Sequence, residues 1–224
     1  MTQSADIRIP PVGLAGDLTI PENAFALVAF VHGSGSSRLS PRNRAVAGYL
    51  NRHGIATLLF DLLTPDEEGD RSKVFDIPLL AERLGHAIAW IGNEPAVAKL
   101  PLGLFGASTG AAAALVAAAR FGDRIGAVVS RGGRPDLAGD ALDRVRVPTL
   151  LIVGGEDFGV IELNEQAHAR LPGEKKLVIV PGAGHLFSEP GTLEAVCENA
   201  ARWFRIHLSG GRRKGTLNAV QGQG

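Results

Sequence analysis

One serine in this chain stands where a nucleophile would have to stand. Gly106-Ala107-Ser108-Thr109-Gly110 is a G-x-S-x-G, set between a short apolar run, Leu102–Phe105, and an alanine-rich stretch, Ala111–Ala119, of high helix propensity. A serine at such a strand-to-helix turn is held in a strained backbone with its hydroxyl outward. Its neighbours two places away must be tiny for strand and helix to approach. A serine hydroxyl is a weak nucleophile at neutral pH, so it needs a general base oriented by a third group. Of the six histidines, His53, His86, His168 and His207 fall within or at the ends of expected helices and read as structural. His32 and His185 lie in loops after strands. His185, in Pro181-Gly182-Ala183-Gly184-His185, is the expected base, because two glycines let that loop carry an imidazole over the sheet edge. The orienting carboxylate is expected from a strand between serine and histidine. Gly154-Gly155-Glu156-Asp157 offers two, with Asp157 preferred and Glu156 the alternative. Asp61 precedes the serine and reads as a loop-stabilising or rim residue.

Acyl transfer at Ser108 would generate an oxyanion, which needs two N–H donors. The amide of Thr109 is one. The loop His32-Gly33-Ser34-Gly35-Ser36-Ser37 would supply the other, from Ser34 or, alternatively, Gly35, with His32 bracing the loop. A phosphate cradle fits this loop poorly: Arg38 stands where the third glycine of G-x-G-x-x-G belongs, and no G-K-[ST] follows. There is no H-E-x-x-H, and Cys197 is the one cysteine, so neither a metal nor a cofactor is expected. Arg38, Arg131 and Arg134 lie at loop ends where a substrate carboxylate would find a bidentate partner. The competing reading ties such arginines to loop carboxylates such as Asp136.

These groups need a scaffold that brings loop ends together, and the pattern of the chain supplies one. Phe25–Gly33, Ile55–Leu63, Leu102–Phe105, Ile125–Ser130, Pro148–Gly155 and Lys175–Gly182 read as buried strands. Between them lie helical segments: one capped by Ser40-Pro41 and closed by Gly54, others near Asp76–Ile91, Val160–Arg170 and Thr192–Leu208. Strands buried on both faces and alternating with helices imply an α/β fold, a mainly parallel sheet with helices on both faces. Ligands then gather at the carboxyl ends of the strands, where the residues named above fall. The first 20 residues read as an antiparallel pair at the sheet edge.

The 224 residues suit one domain, taken as residues 1–208, with a polar tail over 209–224. That tail holds the basic run Arg212-Arg213-Lys214, read as solvated. Apolar residues make up 45% and charged residues 21%, an ordinary globular composition. The 23 basic and 23 acidic residues cancel, so no whole-molecule field draws the chain to nucleic acid or anionic lipid. The uncharged run Leu100–Ala119 is long enough for a membrane span, but Pro101, Gly103, Gly106 and Gly110 break its first half. With no leader-like N-terminus and no cysteine pair, a cytoplasmic protein acting on a small molecule is expected; oligomeric state is left open.

The four motifs HGSGSS, GASTG, GGED and GAGH, in this order, resemble the α/β-hydrolase superfamily, and within it small bacterial proteins of the dienelactone hydrolase group. The resemblance covers about residues 25–208. It implies Ser108 as nucleophile, Asp157 as acid, His185 as base and the amides near Ser34 and Thr109 as oxyanion hole. It departs at the elbow, where dienelactone hydrolases proper use cysteine. The seventeen residues Arg131–Val147 leave no room for a large cap. A serine hydrolase cleaving small soluble esters is the expected function. A thioesterase or amidase, or a binding protein on the same fold, remains the alternative.

Overall fold

The computed structural model describes residues 1–212. Eight strands form one sheet: β1 (Gln3–Ile9), β2 (Leu14–Ile20), β3 (Ala26–Val31), β4 (Ile55–Phe60), β5 (Leu102–Ala107), β6 (Ala127–Arg131), β7 (Thr149–Gly154) and β8 (Lys175–Val180). Their spatial order is β1-β2-β4-β3-β5-β6-β7-β8. β1 pairs antiparallel with β2, and β2 antiparallel with β4; every later pairing is parallel. The expected edge hairpin and parallel sheet are both present.

Side chains in a strand alternate between faces, and in β3 both faces are core. Leu27, Ala29 and Val31 enter one apolar cluster, and Ala26, Val28 and Phe30 enter the other. The first cluster is closed by helices α4 (Ile77–Asn93), α5 (Thr109–Arg120) and α6 (Phe158–Arg170); the second by α1 (Pro41–Arg52) and α7 (Thr192–Leu208). The helix starts follow the cap chemistry. Ser40 Oγ accepts from Asn43 N–H at 3.4 Å with Pro41 in the first turn, and Asp76 Oδ1 accepts from Leu79 N–H at 3.0 Å.

Two segments between the expected elements have structure of their own. Between β4 and α4 the chain makes two single turns, α2 (Pro65–Glu68) and α3 (Arg71–Val74). The first is set by a capping box between Thr64 and Glu67, the second by Asp70, whose Oδ1 accepts from Ser72 N–H at 2.9 Å. The segment Pro135–Arg144 forms 3-10 turns broken at Gly139, where φ is +54°; it is a short crossing rather than a cap domain. Of the stretch expected as a tail, Ser209–Arg212 form a 3-10 turn after α7, and 213–224 lie outside the described residues. Among the described residues no helix is long and apolar enough to cross a membrane.

Candidate active site

Ser108 sits at the turn between a strand and a helix. It follows β5 and precedes α5, with φ +50° and ψ −123°, a left-handed backbone that costs a non-glycine residue about 1–3 kcal/mol. Packing around the bend enforces it. A Cβ on Gly106 would stand 2.5 Å from Ala111 Cα, and one on Gly110 would fall on the carbonyl oxygens of Val31 and His32. Two bonds complete the turn: Ser108 N–H donates to Arg131 O at 3.3 Å, and Ser108 O accepts from Arg134 N–H at 3.1 Å. Ser108 is only partly buried, whereas Ala107 and Thr109 beside it are buried.

The base and its partner arrive on two neighbouring loops that are stitched together. Gly155 N–H donates to Val180 O at 2.8 Å and Glu156 N–H to Ala183 O at 2.9 Å, which holds the β7 and β8 exits in register. Asp157 occupies the residue before α6, yet its carboxylate does not cap that helix. Instead Asp157 Oδ2 stands 2.7 Å from His185 Nδ1. That contact assigns the Nδ1 proton and leaves Nε2 as the nitrogen able to accept another. Gly184 N–H donates to Glu189 Oε2 at 3.1 Å, bracing the histidine loop from below. Glu156, the alternative acid, is exposed, and it is Asp157 that meets His185. Ser108 and His185 line one cavity of about 220 Å³, with Gly33, Ser34, Ser36, Ser40, Arg42 and Arg131.

The loop after β3 faces the elbow. His32 is 6% exposed; its Nε2 accepts from Leu62 N–H at 3.0 Å, so Nδ1 carries the proton and donates to Gly33 O at 3.0 Å. Burial pushes its pKa below the ordinary 6.5, consistent with a neutral brace. Thr109, first residue of α5, has an N–H with no intrahelical partner. Its side chain does something the sequence did not suggest: Thr109 Oγ1 accepts from Ser34 N–H at 2.9 Å. Ser34 lines the cavity, but its amide is already engaged. Gly35 does not line that cavity.

Of the three arginines expected to meet substrate, two are held elsewhere. Arg38 is ion-paired to Asp61 and, at 3.4 Å, to Asp17. Arg134 makes a bidentate pair with Asp136, at 2.9 and 2.7 Å, the competing arrangement. Neither lines the Ser108 cavity; Arg131 does, together with Arg42, which no sequence signal singled out. Cys197 is buried in α7, and burial, with Glu194 nearby, pushes its thiol up to about 11; it is no nucleophile here. Among the described residues no group of three or more His, Cys, Asp or Glu side chains could hold a metal. A second cavity, of about 610 Å³, shares Gly33, Ser34 and Ser36 with the first. Its walls combine Leu62, Leu63, Val74, Phe75 and Leu80 with the polar His32, Ser37, Glu68 and Arg71.

The sequence profile of the dienelactone hydrolase family matches residues 67–206. The chain belongs to the dienelactone hydrolase family. A solved dienelactone hydrolase from Anabaena variabilis is 52% identical, with a TM-score of 0.88 over 93% of this chain and 98% of that one. The esterase domain of a Rhodothermus marinus protein shares the fold, at 21% identity and a TM-score of 0.72 over 93% of this chain and 99% of that one. A Mycobacterium tuberculosis protein provisionally named a phosphoribosyl transferase is 60% identical over 200 residues, 89% of this chain. This family member spans only 45% of that longer relative's length.

Proposed function

We propose that the protein is a serine hydrolase that cleaves small carboxylic esters through an acyl-enzyme. The observation that carries this reading is the arrangement around one cavity: a serine held at φ +50° and an imidazole whose Nδ1 is fixed by Asp157 at 2.7 Å line the same space. Ser108 Oγ attacks the ester carbonyl as His185 Nε2 takes its proton. Asp157 holds the ring and stabilises the imidazolium that forms. The Thr109 N–H, at the positive end of α5, faces the developing oxyanion. The Ser34 N–H, positioned by Thr109 Oγ1, is shared between that oxygen and the oxyanion. His185 then returns the proton to the departing alcohol, and water, activated by the same Nε2, releases the acid.

Family membership and the esterase domain with the same fold support this chemistry. The larger cavity, touching the Ser34 loop, would seat an apolar substituent of the ester. Thioesters and amides would use the same residues. A fluorophosphonate probe is expected to add to Ser108, seen by peptide mass spectrometry. Absence of an adduct, under conditions that label another serine hydrolase, would favour a binding protein on the same fold.

A further inference from the structure

We propose that Glu67 is a specificity-determining residue: latched by Arg83, it holds one wall of the larger cavity and so decides how large an apolar ester substituent the site accepts. The proposal rests on the hydrolase reading, and on that cavity as the seat of the substituent. The wall is made by α2, α3 and the residue that follows them, which contribute Glu68, Arg71, Val74 and Phe75. Neither turn contains a fully buried residue. Val74 is half-buried against the core, and Phe75 is 50% exposed. A single helical turn does not hold itself, because it fixes more dihedral angles than its few hydrogen bonds repay. With so little apolar anchorage, a polar contact must fix the position of the wall.

Glu67 makes that contact. Its Oε2 accepts from Thr64 N–H at 3.0 Å, which closes α2 on itself, and its Oε1 accepts from Arg83 Nη2 at 2.9 Å, with Lys73 Nζ of α3 at 3.6 Å. One carboxylate thus joins both turns to α4. Arg83 is a firm anchor, since its helix buries Ile77, Leu80, Ala81 and Leu84 in the core. The Arg83 and Glu67 side chains are 12% and 16% exposed, so the pair escapes most of the screening that makes surface ion pairs worth little. The Thr64 amide first, with Arg83 and Lys73 after it, outweighs desolvation and holds the Glu67 carboxyl below its ordinary 4.5. The latch is therefore charged at neutral pH. Among the described residues Glu67 is the one carboxylate paired with Arg83, whose Nε is already buried without a partner; neutralising Glu67 removes the tie between α4 and the wall and leaves that cation uncompensated. Glu67 does not itself line the cavity; it acts through the residues that do.

Glu67→Gln keeps the size of the side chain and removes its charge. The ratio of kcat/KM for 4-nitrophenyl octanoate to that for 4-nitrophenyl acetate is expected to fall about tenfold in this variant, chiefly through KM for the octanoate. The ratio is the diagnostic quantity, because an unfolded fraction lowers both rates equally and leaves it unmoved; an unchanged ratio overturns the proposal. Arg83→Met is expected to reproduce the change, and Arg83→Lys to recover most of it, since the contact runs through one nitrogen. Equal ratios in the methionine and lysine variants would deny that the ion pair is the latch. Trypsin reads the wall without any need for turnover: cleavage after Arg71 or Lys73, followed by peptide mass spectrometry on the native protein, is expected to run about fivefold faster or more in Glu67→Gln. Equal cleavage rates would show that Glu67 does not hold the wall and overturn the proposal. An absent fluorophosphonate adduct at Ser108 with faster cleavage in Glu67→Gln would sink the hydrolase reading and leave the latch standing.

Discussion

Ser108 and Thr109 are adjacent residues with separable jobs. On the proposed mechanism Ser108→Ala removes the attacking oxygen, and because the members of such a triad would act as a unit, turnover of 4-nitrophenyl acetate is expected to fall about 10³-fold or more. Undiminished hydrolysis would show that the reaction runs elsewhere. Thr109 contributes a main-chain donor and, through Oγ1, an acceptor that fixes the Ser34 loop 2.9 Å away. Thr109→Val keeps the donor and deletes the acceptor. The expected result is a fall in kcat of about tenfold with KM little changed, since a loosely held amide costs most in the transition state. Thr109→Ser, which restores the acceptor, is expected to recover most of the rate. Equal kcat values for the valine variant and the unchanged protein would deny the loop-holding role.

At the scale of elements, the elbow depends on how closely β5 and α5 approach. Gly106→Ala would drive a methyl group into the backbone of Ala111; it is expected to cost about 2–3 kcal/mol in urea unfolding, as overpacking does. Gly69 supplies the control. It lies at φ −72° and ψ −17° with nothing within 4 Å of an added Cβ, so Gly69→Ala is expected to be neutral or to stabilise by up to about 1 kcal/mol. The turns α2 and α3 form one wall of the larger cavity, where Val74 is half-buried. Val74→Trp would fill part of that space. Its expected signature is a loss of kcat/KM for bulky esters and little loss for acetate; a uniform loss across chain lengths would remove the cavity from the substrate path.

Across the whole molecule, His32 ties β3, the Ser34 loop and the β4 exit together, and its burial sets the sign of a pH dependence of stability. Burial lowers its folded-state pKa below 6.5, so as pH falls the unfolded chain takes up the proton first. The stabilisation by neutral His32 is complete above 6.5 and is lost as pH falls through that value toward the lower folded one. Urea unfolding at about pH 8 and about pH 5.5 should therefore show the unchanged protein losing more stability than His32→Gln; parallel losses would exclude the neutral brace. Much of this architecture was open to inspection in the chain itself. Period and punctuation marked the strands buried on both faces, Ser40-Pro41 and Gly54 bounded α1, and the G-x-S-x-G at a strand end located the bend, because these are local consequences of backbone sterics and capping. The same locality explains what went unseen. The Thr64–Glu67 capping box that makes α2 was legible in Thr-Pro-Asp-Glu, but its weight against the surrounding glycines and acids was not. The identity of the counter-charge for each arginine was beyond any pattern: Arg38 goes to Asp61, Arg134 to Asp136, and Arg131 and Arg42 to no carboxylate. So the sequence by itself determined the α/β class and the residue types at the strand ends, since periodicity and turn chemistry act over a few residues. Only the tertiary structure decided which of those side chains meet, because long charged side chains choose partners by distance in space, and that distance depends on how eight strands are ordered in one sheet.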